Sequence, residues 1–172
     1  MPILRIEPIA GYAPTIGRLV SMLAYARETL ISAVEGLSRE QLDHVHDDAS
    51  NSIGALLAHA AAVERVYQLL TFESRQPTAA EAAAWSSALE LGEAARRTLR
   101  GRALQEYLDD LEFVRGATLA ELALRDDAWL EQQLALEPEM NAHWAWFHVA
   151  EDEINHRGQI RWLRARLPAR FA

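Results

Sequence analysis

The sequence predicts an all-α fold, specifically a four-helix bundle with additional short helices. Leucine and alanine dominate the apolar positions, whereas valine, isoleucine and threonine, which favour strands, are sparse. Apolar residues recur at three- and four-residue steps over long stretches, which is the period of an amphipathic helix. No stretch alternates at period two for long, and no Asn-Gly or Asp-Gly pair marks a hairpin. A β-sheet is therefore not expected.

The four long helices follow one another along the chain, separated by turn and capping signals. Asn141 is expected to cap the last of them, and Pro168 follows its end, as proline commonly does after a helix. Gly101 interrupts the helical pattern before the third. The apolar period places the four helices at about residues 14–36, 52–77, 104–122 and 141–167.

Shorter pieces and an N-terminal tail complete the prediction. Ser38 to Gln41 and Thr78 to Glu81 have the pattern of a capping box, and residues 126–138 read as a connector. Residues 1–13 hold two prolines and a glycine without a sustained helical period, so we expect a tail packed on the domain. A length of 172 residues is typical of a single domain, which we expect over residues 1–172.

Composition argues against several classes of function. The net charge is -8, from 17 basic and 25 acidic residues, and a field of this sign disfavours nucleic acid as a partner. A chain without cysteine has no disulfide, no thiolate cluster and no cysteine nucleophile, so any metal ion needs nitrogen and oxygen ligands. No apolar run approaches the length of a membrane span, and no signal-peptide pattern opens the sequence. We expect no membrane partner and a cytoplasmic location.

The last predicted helix carries polar residues on the face that is expected to be buried. Arginines gather on one side of its second half, which predicts that the opposite side faces inward. A buried imidazole or carboxylate needs a hydrogen bond, an ion partner or a metal ion, and three together favour a cation. At 100° per residue, the inward stripe, an arc of roughly 80°, contains Ala145, His148, Asp152, His156, Gln159 and Leu163.

The spacing of these residues leaves two possible pairs of metal ligands on the helix. His148 and His156 lie eight residues apart, about 12 Å along the axis, so both can scarcely bind one ion. Residues four apart are neighbours, which leaves either His148 with Asp152 or Asp152 with His156. His59 lies inside the apolar stripe of the second long helix and would complete either pair from across the bundle.

Two segments resemble the DinB-like superfamily, which includes damage-inducible DinB proteins and metal-dependent thiol transferases. One segment is Ser-Ile-Gly-Ala-Leu-Leu-Ala-His, ending at His59, and the other is Glu-Asp-Glu-Ile-Asn-His-Arg-Gly-Gln-Ile, around Asp152 and His156. The resemblance implies a four-helix bundle in which His59, Asp152 and His156 bind one divalent metal ion. It also implies a homodimer. Many members have histidine at the position of Asp152, and others have a carboxylate there.

Other polar residues receive lesser roles in this prediction. His148 is expected in the pocket, as a proton shuttle or a hydrogen-bond partner of the ligands, and Gln159 and Asn155 as hydrogen-bonding neighbours. Glu64 follows His59 by five residues, so it should point elsewhere on the helix in a solvated or structural role. The remaining histidines are expected on or near loops or a helix start and in solvent: His44, His46 and His143.

Two classes of function follow from these residues and the resemblance. The first is a metal-dependent transferase of the thiol S-transferase type, or a hydrolase, that acts on a small molecule with Zn²⁺ or Ni²⁺ as its ion. Its partner would be a low-molecular-weight thiol. The second is a non-catalytic metal-binding or stress-related dimeric protein with a structural or regulatory ion. A dimer is expected through apolar residues away from the histidine stripe, namely Trp146, Phe147 and Ile154.

Overall fold

The computed structural model describes residues 4–171 and confirms the all-α prediction; residues 1–3 of the expected tail and Ala172 lie outside the described range. Within that range the chain has no β-strand and only one isolated antiparallel bridge, between Gln133 and Asn141. A π-helical segment, Leu69–Glu73, continues α3, and a 3-10 turn forms at Ala169–Phe171. The α-helices are α1 (Pro14–Val34), α2 (Arg39–Leu42), α3 (Ile53–Gln68), α4 (Ala79–Glu90), α5 (Gly92–Thr98), α6 (Leu104–Leu122), α7 (Asp127–Leu130) and α8 (Ala142–Arg164).

The predicted helix starts are found where the sequence places them. Ser38 and Thr78 form complete capping boxes, and the Asn141 side chain accepts a hydrogen bond from the backbone N–H of Trp144 at 2.8 Å. The ends differ slightly, since α8 stops at Arg164 rather than near Leu167. No helix in the described part of the chain is both long enough and apolar enough to span a bilayer.

The described part of the N-terminal tail lies against α1. The Arg18 guanidinium donates to the carbonyl of Ile6 at 2.8 Å. Gly17 faces the backbone of the tail so closely that a Cβ atom there would lie 2.6 Å from the amide nitrogen of Ile9. Glycine at position 17 therefore allows the tail to approach α1.

Hydrogen bonds between α1 and α8 show that these two helices run parallel. The Arg157 guanidinium donates to the Thr29 hydroxyl at 2.6 Å, and that of Arg164 donates to the carbonyl of Ala33 at 2.9 Å. Residue numbers therefore rise together along the two helices. Both arginines thus tie α8 to α1.

The other two long helices run in the opposite direction. On α3 and α8, His59 contacts His156 while Tyr67 contacts His148, so the numbers rise on one helix as they fall on the other. On α3 and α6, Glu64 and Gln68 bond to Arg115 and Thr118, so these helices are parallel. Parallel neighbours need a long crossover connection, which residues 69–103 supply with α4 and α5.

Apolar side chains from all four long helices form the core between them. Its largest side chain, Trp146, has no exposed surface, and its ring stacks on Phe72 with centroids 5.0 Å apart. Trp146 is therefore a core residue and not part of an interface, in contrast to the expectation from sequence. Phe147 and Ile154 are exposed on α8, as that expectation requires.

Four charged side chains lie at the centre of the bundle, one from each long helix: Arg27, Glu64, Arg115 and Glu153. All are at most 8% exposed. Arg27 binds Glu64 at 2.7 Å through Nη2 and Glu153 at 3.0 Å through Nε. Arg115 binds Glu64 at 2.7 Å through Nε and Glu153 at 2.8 Å through Nη2. We call these four residues the central ion cluster.

The two arginines of the central ion cluster also bond to the backbone of each other's helix. Arg27, on α1, donates to the carbonyl of Leu111 on α6, and Arg115, on α6, donates to the carbonyl of Leu23 on α1. These paired bonds cross the edge where α1 and α6 otherwise touch little. The cluster thus joins all four helices and fixes their relative positions.

Burial raises the pKa of Glu64 and Glu153, whereas the charges of the neighbouring arginines lower it. Burial alone would raise the pKa of Glu64, but the charges of Arg115 and Arg27 outweigh it and hold that pKa below its usual value. For Glu153, burial prevails and the pKa is raised. Of the two roles expected for Glu64, solvated or structural, the structural one is found.

Removing one acid from the central ion cluster should destabilise the protein strongly. Glu64→Ala leaves two buried guanidinium groups without their partner, so we expect the free energy of unfolding to fall by about 3 kcal/mol or more. Urea denaturation followed by circular dichroism measures this change. The control is Glu93→Ala, which removes an exposed ion pair with Arg97 and should have no measurable effect. Equal stability of the two variants would contradict the assigned role.

Candidate metal centre

The three residues expected to bind a metal ion lie together between α3 and α8. His59 is on α3, nearly two turns beyond the buried start of that helix, and Asp152 and His156 are one turn apart on α8. One nitrogen or oxygen atom from each of the three lies within 4.8 Å of the others. The antiparallel register of α3 and α8 places His59 opposite this pair. We call His59, Asp152 and His156 the histidine–aspartate cluster.

Asp152 lies between the two imidazoles. Its Oδ1 atom is 3.2 Å from Nε2 of His156 and 3.7 Å from Nε2 of His59. The two imidazole rings meet edge to face, with centroids 4.8 Å apart and planes at 80°. Both Nε2 atoms therefore point toward the carboxylate.

Hydrogen bonds on the far side of each ring fix this orientation. Nδ1 of His59 lies 2.8 Å from the carbonyl oxygen of Ala88, which can only accept, so Nδ1 carries the hydrogen. Nδ1 of His156 donates to Oε1 of Gln159 at 3.3 Å. A histidine that donates from one nitrogen and presents the other is the arrangement found in metal sites. The expectation that Gln159 hydrogen-bonds in the site agrees with this contact.

The carboxylate of Asp152 tests whether a cation fits the histidine–aspartate cluster. Its Oδ2 atom is buried and has no hydrogen-bond partner among residues 4–171. A buried carboxylate oxygen without a partner is costly, and a cation would compensate it. Tetrahedral Zn²⁺ with ligands at about 2.0 Å requires ligand atoms roughly 3.3 Å from one another. The distances from Oδ1 to the two Nε2 atoms are close to this value, so the residues fit a divalent cation.

The cluster changes the pKa values of its own members. Burial alone would raise the pKa of Asp152, but hydrogen bonds and charge from His156 and His59 outweigh it and hold the pKa well below its usual value. Burial alone would lower the pKa of His59, but Asp152 and the Ala88 carbonyl outweigh it and raise the pKa. In the absence of a metal ion, a proton on the imidazole is thus stabilised by the carboxylate.

His148 lies beside the cluster and does not belong to it. Its Nδ1 atom is 3.0 Å from Oε2 of Glu151, and its ring stacks on Trp144 with centroids 4.9 Å apart. Tyr67 meets its edge at 5.8 Å. Of the two ligand pairs that the sequence left open, the structure brings Asp152 together with His156. The role of His148 as a proton shuttle stays a prediction.

The buried face of α8 is rotated relative to the predicted stripe. The side chains pointing to the centre of the bundle are those of Val149, Glu153 and Ile160, each at most 1% exposed. Asp152 lies about 100° around the helix from Glu153, at the edge of the α3–α8 contact, and its side chain is 14% exposed. The candidate metal site is therefore at the rim of the bundle rather than at its centre.

Two groups near the histidine–aspartate cluster were not predicted from the sequence. One is the carbonyl of Ala88, which orients His59 but has no side-chain signal in the sequence. The other is Glu153, a neighbour of Asp152 that binds both central arginines. The four buried charges could have been suspected from arginines and glutamates placed within apolar helical faces.

Comparison with known proteins identifies a family over most of the chain. Residues 18–169 match the family described as Mycothiol-S-transferase. This is a DinB-like family, so the resemblance seen in the two histidine-bearing helices is confirmed. Among curated proteins, no match was found.

The raised pKa of His59 predicts how the metal-free protein depends on pH. The stabilisation from a raised pKa is complete below the unfolded value, about 6.5 for histidine, and is lost as the pH rises through the folded pKa. The depressed pKa of Asp152 acts in the opposite sense and keeps its own contribution until the pH falls well below 4. Without metal, the ion pair should therefore stabilise the protein more at pH 5 than at pH 8.

To test this expectation, the free energy of unfolding of the wild type and of Asp152→Asn is measured by urea denaturation in the presence of a chelator. Asparagine keeps the shape but removes the charge that raises the pKa of His59. The excess stability of the wild type over the variant should be larger at pH 5 than at pH 8. The same excess at both values would show that the charge interaction is absent.

Proposed function

Because the chain belongs to the Mycothiol-S-transferase family, we propose that it is a metal-dependent transferase that joins the sulfur of a low-molecular-weight thiol to a small electrophilic substrate. The observation that carries the proposal is the histidine–aspartate cluster, in which three potential ligands converge and Oδ2 of Asp152 has no partner in the described chain. The family's description supports mycothiol as the thiol.

His59, Asp152 and His156 would hold the ion, through Nε2 of each histidine and the carboxylate of the aspartate. Zn²⁺ and Ni²⁺ suit this set of nitrogen and oxygen ligands. When bound, the ion supplies a Lewis acid that lowers the pKa of a thiol placed in an open coordination position. With three protein ligands, at least one position stays open, as in catalytic rather than structural zinc sites.

The charge of the ligand set suits a thiol substrate. Two neutral imidazoles and one carboxylate bring a single negative charge, so a divalent cation among them keeps a net positive charge. That charge can balance a thiolate. The chain has no cysteine, so the reacting sulfur must come from the substrate.

The reaction also needs a group that accepts the proton of the thiol. The proton leaves the thiol, the sulfur forms a bond to the electrophilic carbon, and either a leaving group departs or an unsaturated acceptor takes up a proton. His148 is the group that we propose as the proton acceptor. Its Nδ1–H donates to Glu151, which leaves Nε2 free to accept and stabilises the imidazolium that results. The stacked ring of Trp144 holds His148 in this orientation.

A homodimer is a further part of the proposal. The side chains of Phe147 and Ile154 are apolar and exposed, and they lie about two turns apart on α8. They support an interface between two copies through the outer face of α8.

Replacing one ligand should remove the ion. In His156→Ala, the cluster keeps one imidazole and one carboxylate, so the metal content measured by elemental analysis should fall well below one equivalent per chain. His44→Ala is the matched control, because it removes a histidine outside the cluster and should retain one equivalent. His148→Ala should retain the full equivalent at saturating metal and lose activity roughly 10- to 100-fold. Full metal content without His156 would exclude the proposed ligand set.

The reaction itself is tested with the metal-loaded wild type, mycothiol and a small electrophile, by following loss of free thiol. We expect thiol loss to require both the protein and the ion. A wild type that binds one equivalent of metal but does not accelerate thiol loss with any electrophile offered would instead support a non-catalytic metal-binding protein.

A further inference from the structure

A cavity separate from the candidate metal centre is lined by residues of α3, α4 and α6. Its volume is about 320 Å³, at the lower end of the range for small-molecule sites. None of the three residues of the histidine–aspartate cluster lines it. Alanines of α3 and α4 form much of its wall, and their short side chains leave the space open: Ala58, Ala61, Ala62, Ala84 and Ala88.

Two aromatic side chains also line this cavity and remain accessible to a ligand. Phe113, on α6, is 78% exposed, and Trp85, on α4, is half-buried. Both α4 and α6 pack against α3, so an apolar group that enters the cavity meets ring surface from two helices. Aromatic surface of this kind favours a ligand that itself contains an aromatic ring.

Arg65 gives the cavity one uncompensated positive charge. Three charged side chains line the cavity, and two of them, Arg102 and Asp110, bind each other at 2.7 Å. Arg65 forms no ion pair with an acid among residues 4–171, and its guanidinium lies 6.0 Å from the centroid of the Trp85 ring. The overall charge of the chain is -8, so a net positive cavity is a local exception. Such a cavity favours an anionic ligand.

The guanidinium of Arg65 is held in place before any ligand binds. Its Nη1 atom donates to Oε1 of Gln68 at 2.7 Å. Gln68 is 3% exposed and donates in turn to the carbonyl of Val114 at 2.7 Å and to the hydroxyl of Thr118 at 2.8 Å. The Nε and Nη2 atoms of Arg65 stay without an acceptor in the described part of the chain. These two atoms form the edge of a guanidinium that binds a carboxylate through two parallel hydrogen bonds.

We propose that this cavity is a second ligand site, which binds a small aromatic monocarboxylate. The carboxylate pairs with the free edge of Arg65, and the ring lies against Trp85 and Phe113. One carboxylate matches the cavity, because only one arginine there lacks a partner. An amine would be repelled by Arg65, and a neutral amide would offer one acceptor oxygen in place of two. Since the arginine is already held, less entropy is lost on binding.

The second ligand site shares one backbone segment with the candidate metal centre. Ala88 lines the cavity, and its carbonyl accepts the hydrogen bond from Nδ1 of His59. The Nε2 atom of His59 faces Asp152 and not this carbonyl. A ligand in the cavity therefore contacts the part of α4 that orients His59 without binding the ion. The site requires neither the ion nor a thiol, so it goes beyond the proposed function.

The site is tested by adding 2-naphthoate to the full-length protein and measuring binding by isothermal titration calorimetry. The wild type should bind about one equivalent per chain saturably. Arg65→Gln should weaken binding about tenfold or more, because the charge-assisted hydrogen bonds are lost. Phe113→Ala should weaken it roughly fivefold through loss of ring contact. The neutral analogue 2-naphthamide should bind the wild type about tenfold more weakly than 2-naphthoate.

Arg161→Gln is the matched control, because Arg161 is an exposed arginine of α8 that does not line the cavity. This variant and His156→Ala should both bind 2-naphthoate with the affinity of the wild type, and circular dichroism shows whether each variant is folded. No saturable binding by the wild type, unchanged affinity in folded Arg65→Gln, or equal affinity for 2-naphthamide would each overturn the site.

Two further results would assign the cavity or the probe differently and so overturn the proposal. Loss of binding in folded His156→Ala would place 2-naphthoate on the ion and not beside Arg65. A changed oligomeric state of Phe113→Ala, measured by light scattering, with unchanged affinity for 2-naphthoate would make this surface a contact between copies of the chain. Neither result depends on whether thiol transfer is observed, so the two proposals can fail separately.

Discussion

The central ion cluster is the constraint on which the arrangement of this bundle depends. Arg27, Glu64, Arg115 and Glu153 come from four different helices, and each arginine pairs with both glutamates. Apolar side chains tolerate sliding of one helix along another, but buried ions do not, because a displaced charge would be left unpaired. The cluster therefore sets the axial register of α1, α3, α6 and α8.

This register also positions the candidate metal centre. Glu153 points to the centre of the bundle, so its neighbour Asp152 must point to the rim, about 100° away around α8. The antiparallel α3 then brings His59 to the same rim position. The result is a carboxylate that is mostly buried, held between two oriented imidazoles, and still within reach of solvent. Burial strengthens the interaction of this carboxylate with a cation.

Much of the fold could be predicted from sequence because it depends on local signals. The apolar period of the long helices and the side-chain caps at Ser38, Thr78 and Asn141 are properties of short segments, and the structure confirms them. The ligand candidates could also be named, since imidazoles and a carboxylate on one helical stripe require compensation. The choice between His148 and His156, however, depended on a family resemblance and not on spacing.

The remaining features depend on contacts between segments far apart in sequence. Periodicity placed Trp146 outside the core because it cannot tell which of two apolar faces of α8 meets Phe72. The predicted inward stripe also excluded Glu153, because a glutamate is normally expected at the surface. Its burial is explained only by Arg27 of α1 and Arg115 of α6, which bind it in the folded structure. The carbonyl of Ala88 is a backbone atom of another helix, so no side-chain pattern could reveal its bond to His59.

The most direct test of a thiol-binding metal ion in the histidine–aspartate cluster is the absorption spectrum of the cobalt-substituted protein before and after addition of mycothiol. The chain contains no cysteine, so any sulfur-to-cobalt charge-transfer band must come from the added thiol. We predict that Co²⁺ binds with one equivalent per chain and that the charge-transfer band appears on addition of the thiol, in the wild type but not in His156→Ala. Stoichiometric cobalt binding with no such band at saturating thiol would contradict the account.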